Sequence, residues 1–167
     1  MVDWDDYVGR FEAVQDVEIR PRVSGTVDSV NFREGVEVAK GQVLFTIDPR
    51  PYRAAAAQAR AELARAQTLV TNARTELARA QKLVDAQAIS REEFETKQAN
   101  LRSAVAAAGA ARASLDAKAL DLSFTTIRSP ITGRISDKRV SIGTYVSAGE
   151  TVLTRVVTVN PIRFAFE

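Results

Sequence analysis

The sequence predicts an α+β fold in which a β-sandwich, built from two separate parts of the chain, carries an inserted antiparallel coiled-coil α-hairpin. Three features indicate this fold. An apolar seven-residue repeat runs through residues 49–122, and a helix-start signal interrupts it near residue 90. The segments on its two sides are rich in β-branched residues and glycine, which is typical of short strands joined by turns.

Apolar or small residues of the first predicted helix recur in alternating steps of three and four, so they form one seam along the helix. The seam consists of Tyr52, Ala56, Ala59, Leu63, Ala66, Val70, Ala73, Leu77, Ala80 and Val84. A strict seven-residue repeat keeps its seam against a partner when the helices supercoil with a left hand. We therefore expect this helix to pack along its length against a second helix.

The second predicted helix has a less regular seam. Its apolar row consists of Phe94, Leu101, Ala108, Leu115 and Leu122. Its other predicted row is mixed in character and consists of Gln98, Val105, Arg112 and Ala119. The link between the helices is short, and short links join antiparallel neighbours, so the two helices are predicted to form a hairpin.

Capping residues mark both ends of the predicted hairpin. Ser90 is followed three residues later by Glu93, a pair that satisfies free amide groups at a helix start. The tip is therefore predicted at about residues 86–90. At the other end, Asp48 is a good N-cap, and Pro49 suits the first helical position because its missing N–H is not needed there.

The two β segments that flank the hairpin resemble each other when the first is shifted by 108 residues. With this shift Gly25, Gly35 and Gly41 fall on Gly133, Gly143 and Gly149. Glycine is needed where the backbone adopts a positive φ or approaches a neighbour closely, so shared glycines indicate shared turns. Each half is too small to bury a face alone. We expect the halves to pair, with residues 23–27 against residues 131–135.

The composition excludes several classes of function. The chain has 167 residues, of which 23 are basic and 21 acidic, so it lacks the large basic excess of a nucleic-acid-binding protein. It contains no histidine and no cysteine, which excludes a Ser-His-Asp triad, a cysteine nucleophile and ordinary zinc sites. The acidic residues Asp3, Asp5 and Asp6 are typical of a solvated chain end. We predict a protein that is not an enzyme and binds no metal and no nucleic acid.

The two ends of the sequence indicate a piece of a longer protein. Ile162, Phe164 and Phe166 alternate with polar or small residues, a pattern that predicts a half-buried strand cut off at the last residue. Met1 is not followed by a secretion signal, and no apolar run is long enough to span a bilayer. We expect the strands near both ends to have open edges, because most of their partners would lie outside this chain.

Two β half-motifs with glycine turns resemble the lipoyl or biotinyl carrier domain. In that family the modified lysine lies on a tight turn between the halves. Here the segment Ile47-Asp48-Pro49-Arg50-Pro51-Tyr52 and the hairpin take the place of that turn. Lys40 lies in a different turn, before Gly41. The resemblance therefore implies a split lipoyl-like fold without a cofactor, and a carrier domain is the less favoured alternative.

The chain as a whole resembles the periplasmic adaptor (membrane fusion) proteins of Gram-negative tripartite efflux pumps. The resemblance depends on the first half-motif, from Val23-Ser24-Gly25 to Phe45-Thr46-Ile47-Asp48-Pro49, and on the segment Phe124-Thr125-Thr126-Ile127-Arg128-Ser129-Pro130-Ile131-Thr132-Gly133. It is greatest for the branch that serves resistance-nodulation-division transporters. Adaptors of ABC-type exporters and of type I secretion systems remain alternatives.

The resemblance implies a particular organisation and set of partners. Such adaptors are periplasmic, are commonly anchored to the inner membrane, and form a ring, usually of six copies. The ring bridges an inner-membrane transporter and a TolC-type outer-membrane channel. The implied domains are a strand entering an incomplete β-barrel (1–16), the first lipoyl-like half-motif (17–48), the hairpin (49–122), the second half-motif (123–157) and the start of a further barrel strand (158–167).

Within that family the hairpin tip carries an arginine, a leucine four residues later and a serine seven residues after that. Arg79, Leu83 and Ser90 have this spacing, so the resemblance implies that they contact the outer-membrane channel. Each residue also has a purely structural interpretation. Arg79 could pair with Glu76, Leu83 lies beside the seam, and Ser90 caps a helix.

Overall fold

The structure, a computed structural model, describes the backbone of residues 9–166 and the side chains of residues 13–161 and Arg163. The predicted acidic cluster Asp3, Asp5 and Asp6 lies outside the described residues. Within them the elements are β1 (Gly9–Ala13), β2 (Asp16–Ile19), β3 (Gly25–Val30), β4 (Glu37–Val38), β5 (Val43–Ile47), α1 (Arg50–Asp85), α2 (Arg91–Phe124), β6 (Thr126–Arg128), β7 (Gly133–Ile135), β8 (Tyr145–Val146), β9 (Thr154–Val157) and β10 (Ile162–Phe166).

The chain divides into two compact units. The first, here called the β unit, comprises the chain up to Pro49 and from Ser123 onward. The second, here called the hairpin unit, is Arg50–Leu122. The β unit contains two four-stranded antiparallel sheets, with strand orders β2-β9-β7-β4 and β6-β5-β3-β8. The predicted fold class, a split sandwich with an inserted α-hairpin, is confirmed.

Both sheets combine strands from the two halves of the sequence, so the halves fold together as expected. Their hydrogen-bonded partners differ from the expected ones. β3 pairs with β8, where Gly25 lies opposite Val146, and β4 pairs with β7, where Val38 lies opposite Gly133. The halves therefore exchange strands, and residues 23–27 do not form a ladder with residues 131–135.

A pseudo-two-fold relation connects the two sheets. The 108-residue shift relates β2 to β6, β3 to β7 and β4 to β8, and the two sheets have the same order under this exchange. The turn hydrogen bonds repeat as well. Gly41 N donates to Ser129 O at 2.7 Å, and the corresponding Gly149 N donates to Pro21 O at 2.9 Å. Gly41 and Gly149 both have positive φ, 86° and 74°, so the shared turns are confirmed.

The core of the β unit lies among the inward side chains of both sheets. Large side chains with no exposed surface are Leu44, Phe45, Ile47, Ile135 and Leu153. The ring of Phe45 meets that of Phe32 edge to face, with centroids 5.2 Å apart. The strands near the two chain ends, β1 and β10, pair with each other in a two-stranded antiparallel sheet, so each has one paired edge rather than two open ones.

In the hairpin unit, the predicted seam of α1 is confirmed, since all ten of its residues are buried or half-buried. The apolar row of α2 is also half-buried. The predicted second row was wrong, because Gln98, Val105, Arg112 and Ala119 are all exposed. The half-buried row lies one residue earlier and contains Lys97, Ala104 and Ala111. Alanine allows close approach of the two helices.

The ends of the helices differ slightly from the sequence prediction. α1 begins at Arg50, which places Pro49 just before the helix instead of at its first position. α2 ends at Phe124, two residues beyond the predicted end. The link between the helices is residues 86–90, where the tip was predicted. With 36 residues, α1 is about 54 Å long.

The hairpin tip as a candidate partner-binding site

α1 ends in a Schellman motif that fixes the backbone of the tip. Gln87 has a left-handed conformation with φ of 58°. Ala88 N donates to Leu83 O at 2.8 Å, and Gln87 N donates to Val84 O at 2.9 Å. These two bonds satisfy carbonyl groups that have no partner within the helix. The tip is therefore a defined turn and not an open loop.

Ser90 caps the start of α2. Its side-chain Oγ accepts a hydrogen bond from Glu93 N at 3.1 Å, and its carbonyl oxygen accepts one from Phe94 N at 3.2 Å. Glu92 and Glu93 lie in the first turn, where negative charge interacts favourably with the helix dipole. The predicted capping role of Ser90 is therefore confirmed.

Leu83 presents apolar surface close to the tip. Its side chain is 45% exposed, although its carbonyl group holds the end of α1. Leu69 lies two seven-residue repeats earlier on the same row of α1 and is 50% exposed. Both leucines therefore lie outside the seam, and the hairpin does not need either of them for its own packing.

Arg79 lies four residues before Leu83, so the two side chains are neighbours on one face of α1. The predicted pairing of Arg79 with Glu76 was wrong. Glu76 instead binds Lys97 across the hairpin, with Nζ and Oε2 3.0 Å apart. Among the side chains that the structure describes, Arg79 has no ion-pair partner, and its own side chain is exposed. Arg79 and Leu83 thus form a cationic and apolar pair, and Ser90 is the last residue of the five-residue link.

Sequence reasoning missed Gln87, because the left-handed position at a helix C-terminus is usually glycine. Neither Ala86 nor Ala88 beside it signals a turn, so the short, Gly-free link gave no indication of the Schellman motif. The described part of the chain contains no cluster of three or more acidic residues placed to hold a metal ion. Its helices are also too polar or too short in their apolar stretches to cross a bilayer.

Comparisons with known proteins agree with this architecture. Residues 15–159 match the family described as RND MFP, barrel-sandwich hybrid domain. Multidrug resistance protein MdtA of Erwinia amylovora is 37% identical over 160 residues, which cover 95% of this chain and 40% of that protein. Multidrug efflux pump subunit AcrA of Escherichia coli K12 is 37% identical over 155 residues, which cover 92% of this chain and 39% of AcrA. The chain therefore spans about two fifths of the length of these relatives.

Solved structures give the same result. A MacA–MexA chimeric protein that contains the α-hairpin domain of Pseudomonas aeruginosa MexA has a TM-score of 0.64 and 27% sequence identity. The similarity covers 93% of this chain and 50% of the chimera. The chain belongs to the family of RND (resistance-nodulation-division) membrane fusion proteins, and residues 15–159 are its barrel-sandwich hybrid domain.

Proposed function

We propose that this chain is part of a periplasmic adaptor subunit of a tripartite multidrug efflux pump. In this role the adaptor links an inner-membrane RND transporter to a TolC-type outer-membrane channel. The observation that carries the proposal is the similarity, over more than nine tenths of the chain, to proteins named as multidrug resistance and efflux pump subunits. The same proposal includes assembly into a ring of six copies and an inner-membrane anchor outside this chain. It also includes barrel strands in residues 1–16 and 158–167.

In this proposal the hairpin tip binds the outer-membrane channel through Arg79, Leu83 and Ser90. The exposed apolar side chain of Leu83 supports it, as does the exposed guanidinium group of Arg79, which has no carboxylate partner in the part of the chain that the structure describes. An apolar side chain beside a cation suits a partner surface that offers both a small apolar pocket and carbonyl or carboxylate acceptors.

The test is efflux in cells whose copy of the gene carries single substitutions. Leu83→Asp places a charge in the proposed contact, where an unpaired buried charge is costly. We expect a dye substrate to accumulate as it does in a strain without the gene. Leu69→Asp is the matched control, because Leu69 has the same row on α1 and similar exposure but lies far from the tip. Arg79→Asp is compared in the same way with Arg74→Asp, another exposed arginine of α1.

Ser90 requires a different pair of variants because it caps α2. Ser90→Ala is expected to destabilise the helix by about 1 kcal/mol, whereas Ser90→Asp keeps a good cap and changes only the surface. Loss of efflux in the aspartate variant, with normal protein level and helix content by circular dichroism, supports a contact role. Normal efflux in Leu83→Asp and Arg79→Asp at normal protein level would show that the tip assignment is wrong.

A further inference from the structure

A second candidate site lies in the β unit, in a cleft of about 570 Å³. The cleft opens between β2 and β6, which are the outer strands of the two sheets. It is lined by residues between 17 and 22 on one side and between 123 and 130 on the other. The volume lies within the range of small-molecule sites in proteins.

The two walls of the cleft correspond to each other under the 108-residue shift, so differences between them are informative. Ile19 corresponds to Ile127, and both are buried, at 5% and 8% exposure. Arg20 corresponds to Arg128. Arg20 Nη1 donates to Gly149 O at 3.1 Å, and Arg128 Nη1 donates to Gly41 O at 2.9 Å. These features occur in both halves, so the fold itself accounts for them.

The charges of the two walls do not correspond. Arg20 is neutralised by Glu18, with Nη2 and Oε2 2.8 Å apart. The residue that corresponds to Glu18 is Thr126, so Arg128 has no such carboxylate, and it forms no ion pair within the described part of the chain. The cleft therefore contains a guanidinium group that the turn holds in place but that no acid neutralises.

A second unneutralised cation lies in the same cleft. Arg22 corresponds to Pro130, so its charge has no equivalent in the other half. Its guanidinium carbon lies 5.0 Å from the centre of the Phe124 ring, an arrangement that holds the cation by its attraction to the ring face. Among the described residues, Arg22 also lacks a carboxylate partner. Neither the repeat nor the turns require this arginine.

We propose that this cleft binds an amphipathic anion, a molecule with a phosphate or carboxylate head and a short apolar tail. Arg22 and Arg128 bind the head, because guanidinium groups donate paired hydrogen bonds to such oxygens. Phe124, Ile127 and the neighbouring apolar residues of the cleft contact the tail. The site is independent of the hairpin tip, and its ligand is distinct from the protein partners of the proposed pump.

Octyl phosphate is the probe, used as a monomer and measured by isothermal titration calorimetry with the whole chain. Octyl glucoside, which has the same tail and an uncharged head, is the matched control ligand. We expect octyl phosphate to bind and octyl glucoside to bind at least about tenfold more weakly. Added sodium chloride should weaken binding of the phosphate, because salt screens the attraction between exposed charges.

The most informative variant gives the second wall of the cleft the charge pattern of the first wall. Thr126→Glu places a carboxylate two residues before Arg128 on the same face of β6, as Glu18 of β2 lies two residues before Arg20. It should reduce affinity about tenfold while it leaves the bond from Arg128 to Gly41 intact. Arg22→Gln should have a similar effect, because it removes one of the two guanidinium groups that bind the head together with the contact between that group and Phe124. Arg139→Gln, an exposed arginine outside the cleft, is the control and should bind normally.

Each outcome decides the proposal. Equal binding of the two probes, or normal binding by both Thr126→Glu and Arg22→Gln, would overturn it, as would equal loss in Arg139→Gln. Co-sedimentation with vesicles of phosphatidylcholine and phosphatidylglycerol that Thr126→Glu abolishes would support a lipid headgroup as the ligand. Binding of octyl phosphate without co-sedimentation would support a free amphiphile. If Thr126→Glu does not fold by circular dichroism, Arg22→Gln alone decides.

Discussion

The β unit and the hairpin unit bury their side chains in different ways. The β unit concentrates its core in a few large residues, such as Leu44, Phe45 and Leu153, that have no exposed surface. In α2, none of the 34 residues is buried, and three of the four buried residues of α1 are alanines. The free energy of folding is therefore concentrated at single positions in the β unit and spread over many small contacts in the hairpin.

This difference bears on function. A core of fully buried side chains restricts each position, whereas a narrow seam rich in alanine leaves most of each helix surface free. Leu69 and Leu83 show the result, since both expose about half of their side chains without disturbing the hairpin. The hairpin can therefore present different residues to partners while the β unit keeps its structure.

The largest expected effect compares one core residue from each unit. Phe45→Ala should destabilise the β unit by about 3–5 kcal/mol, because it removes a buried ring that also packs against Phe32. Leu77→Ala removes a half-buried side chain of the hairpin seam and should cost only about 1 kcal/mol. Amide hydrogen exchange measured by mass spectrometry reports each unit separately. Equal costs for the two variants would contradict the comparison.

A second prediction makes a Gly→Ala substitution in each unit and expects opposite changes in stability. A Cβ atom added at Gly133 would overlap the carbonyl oxygen of Val157, which is backbone and cannot move aside easily. Gly133→Ala should therefore destabilise the β unit by about 2 kcal/mol. A Cβ atom at Gly109 of α2 would meet no atom within 4 Å. Gly109→Ala should stabilise the hairpin by about 1 kcal/mol. The unfolding temperatures of both variants show whether each substitution stabilises or destabilises the protein. Destabilisation by Gly109→Ala would contradict the prediction, because it would indicate that the added methyl group meets a neighbour.

The smallest effect concerns charge. Hydrogen bonds from Arg20, and next from Arg155, lower the pKa of Glu18 below its ordinary value of 4.5. A carboxyl group with a lowered pKa in the folded state stabilises the protein above its unfolded-state pKa, and this contribution is lost as pH falls through the folded-state pKa. Wild type should therefore unfold at a higher temperature than Glu18→Gln at neutral pH, and the difference should vanish in acid.

Exposed pairs in the hairpin give the contrast for this experiment. Glu62 and Arg65 form an ion pair at 3.1 Å, but both side chains are more than half exposed. Glu62→Gln should change the unfolding temperature less than Glu18→Gln at neutral pH, because an exposed pair contributes little. A larger effect at Glu62 would contradict the expectation that Glu18, which is bound by two arginines, contributes more to stability than Glu62, which is bound by one.

Periodicity predicted the seam of α1 well because its apolar repeat is strict. In α2 the row that begins at Phe94 could be completed three or four residues later, and the sequence there does not favour one choice. The structure takes the earlier position, Lys97, whose ammonium group reaches Glu76 across the hairpin. A long side chain can be half-buried along its stem and charged at its end, and a simple apolar pattern does not detect this.

The internal repeat predicted the turns of the β unit but not its strand partners. The glycine spacing that the two halves share fixes the local backbone. The sheet that β3 or β7 joins depends instead on contacts with strands of the other half, which are distant in the sequence. The cleft was missed for a related reason. Arg22 and Arg128 are unremarkable in the sequence. The missing carboxylate beside Arg128 appears only when Thr126 is compared with Glu18, and the additional charge of Arg22 appears only when Arg22 is compared with Pro130.

The pairing of β5 with β6 has a consequence for how the chain folds. Phe45 lies opposite Ile127, and Ile47 N donates to Thr125 O at 2.8 Å, although about 80 residues separate these strands. Forming such a distant contact in an open chain costs loop-closure entropy and slows folding. An antiparallel hairpin brings its own two ends together through local contacts, so once it forms, the effective loop between β5 and β6 is only a few residues long. A hairpin that forms first would therefore lower the entropy cost of pairing β5 with β6, although the separation of the two strands in the sequence stays the same.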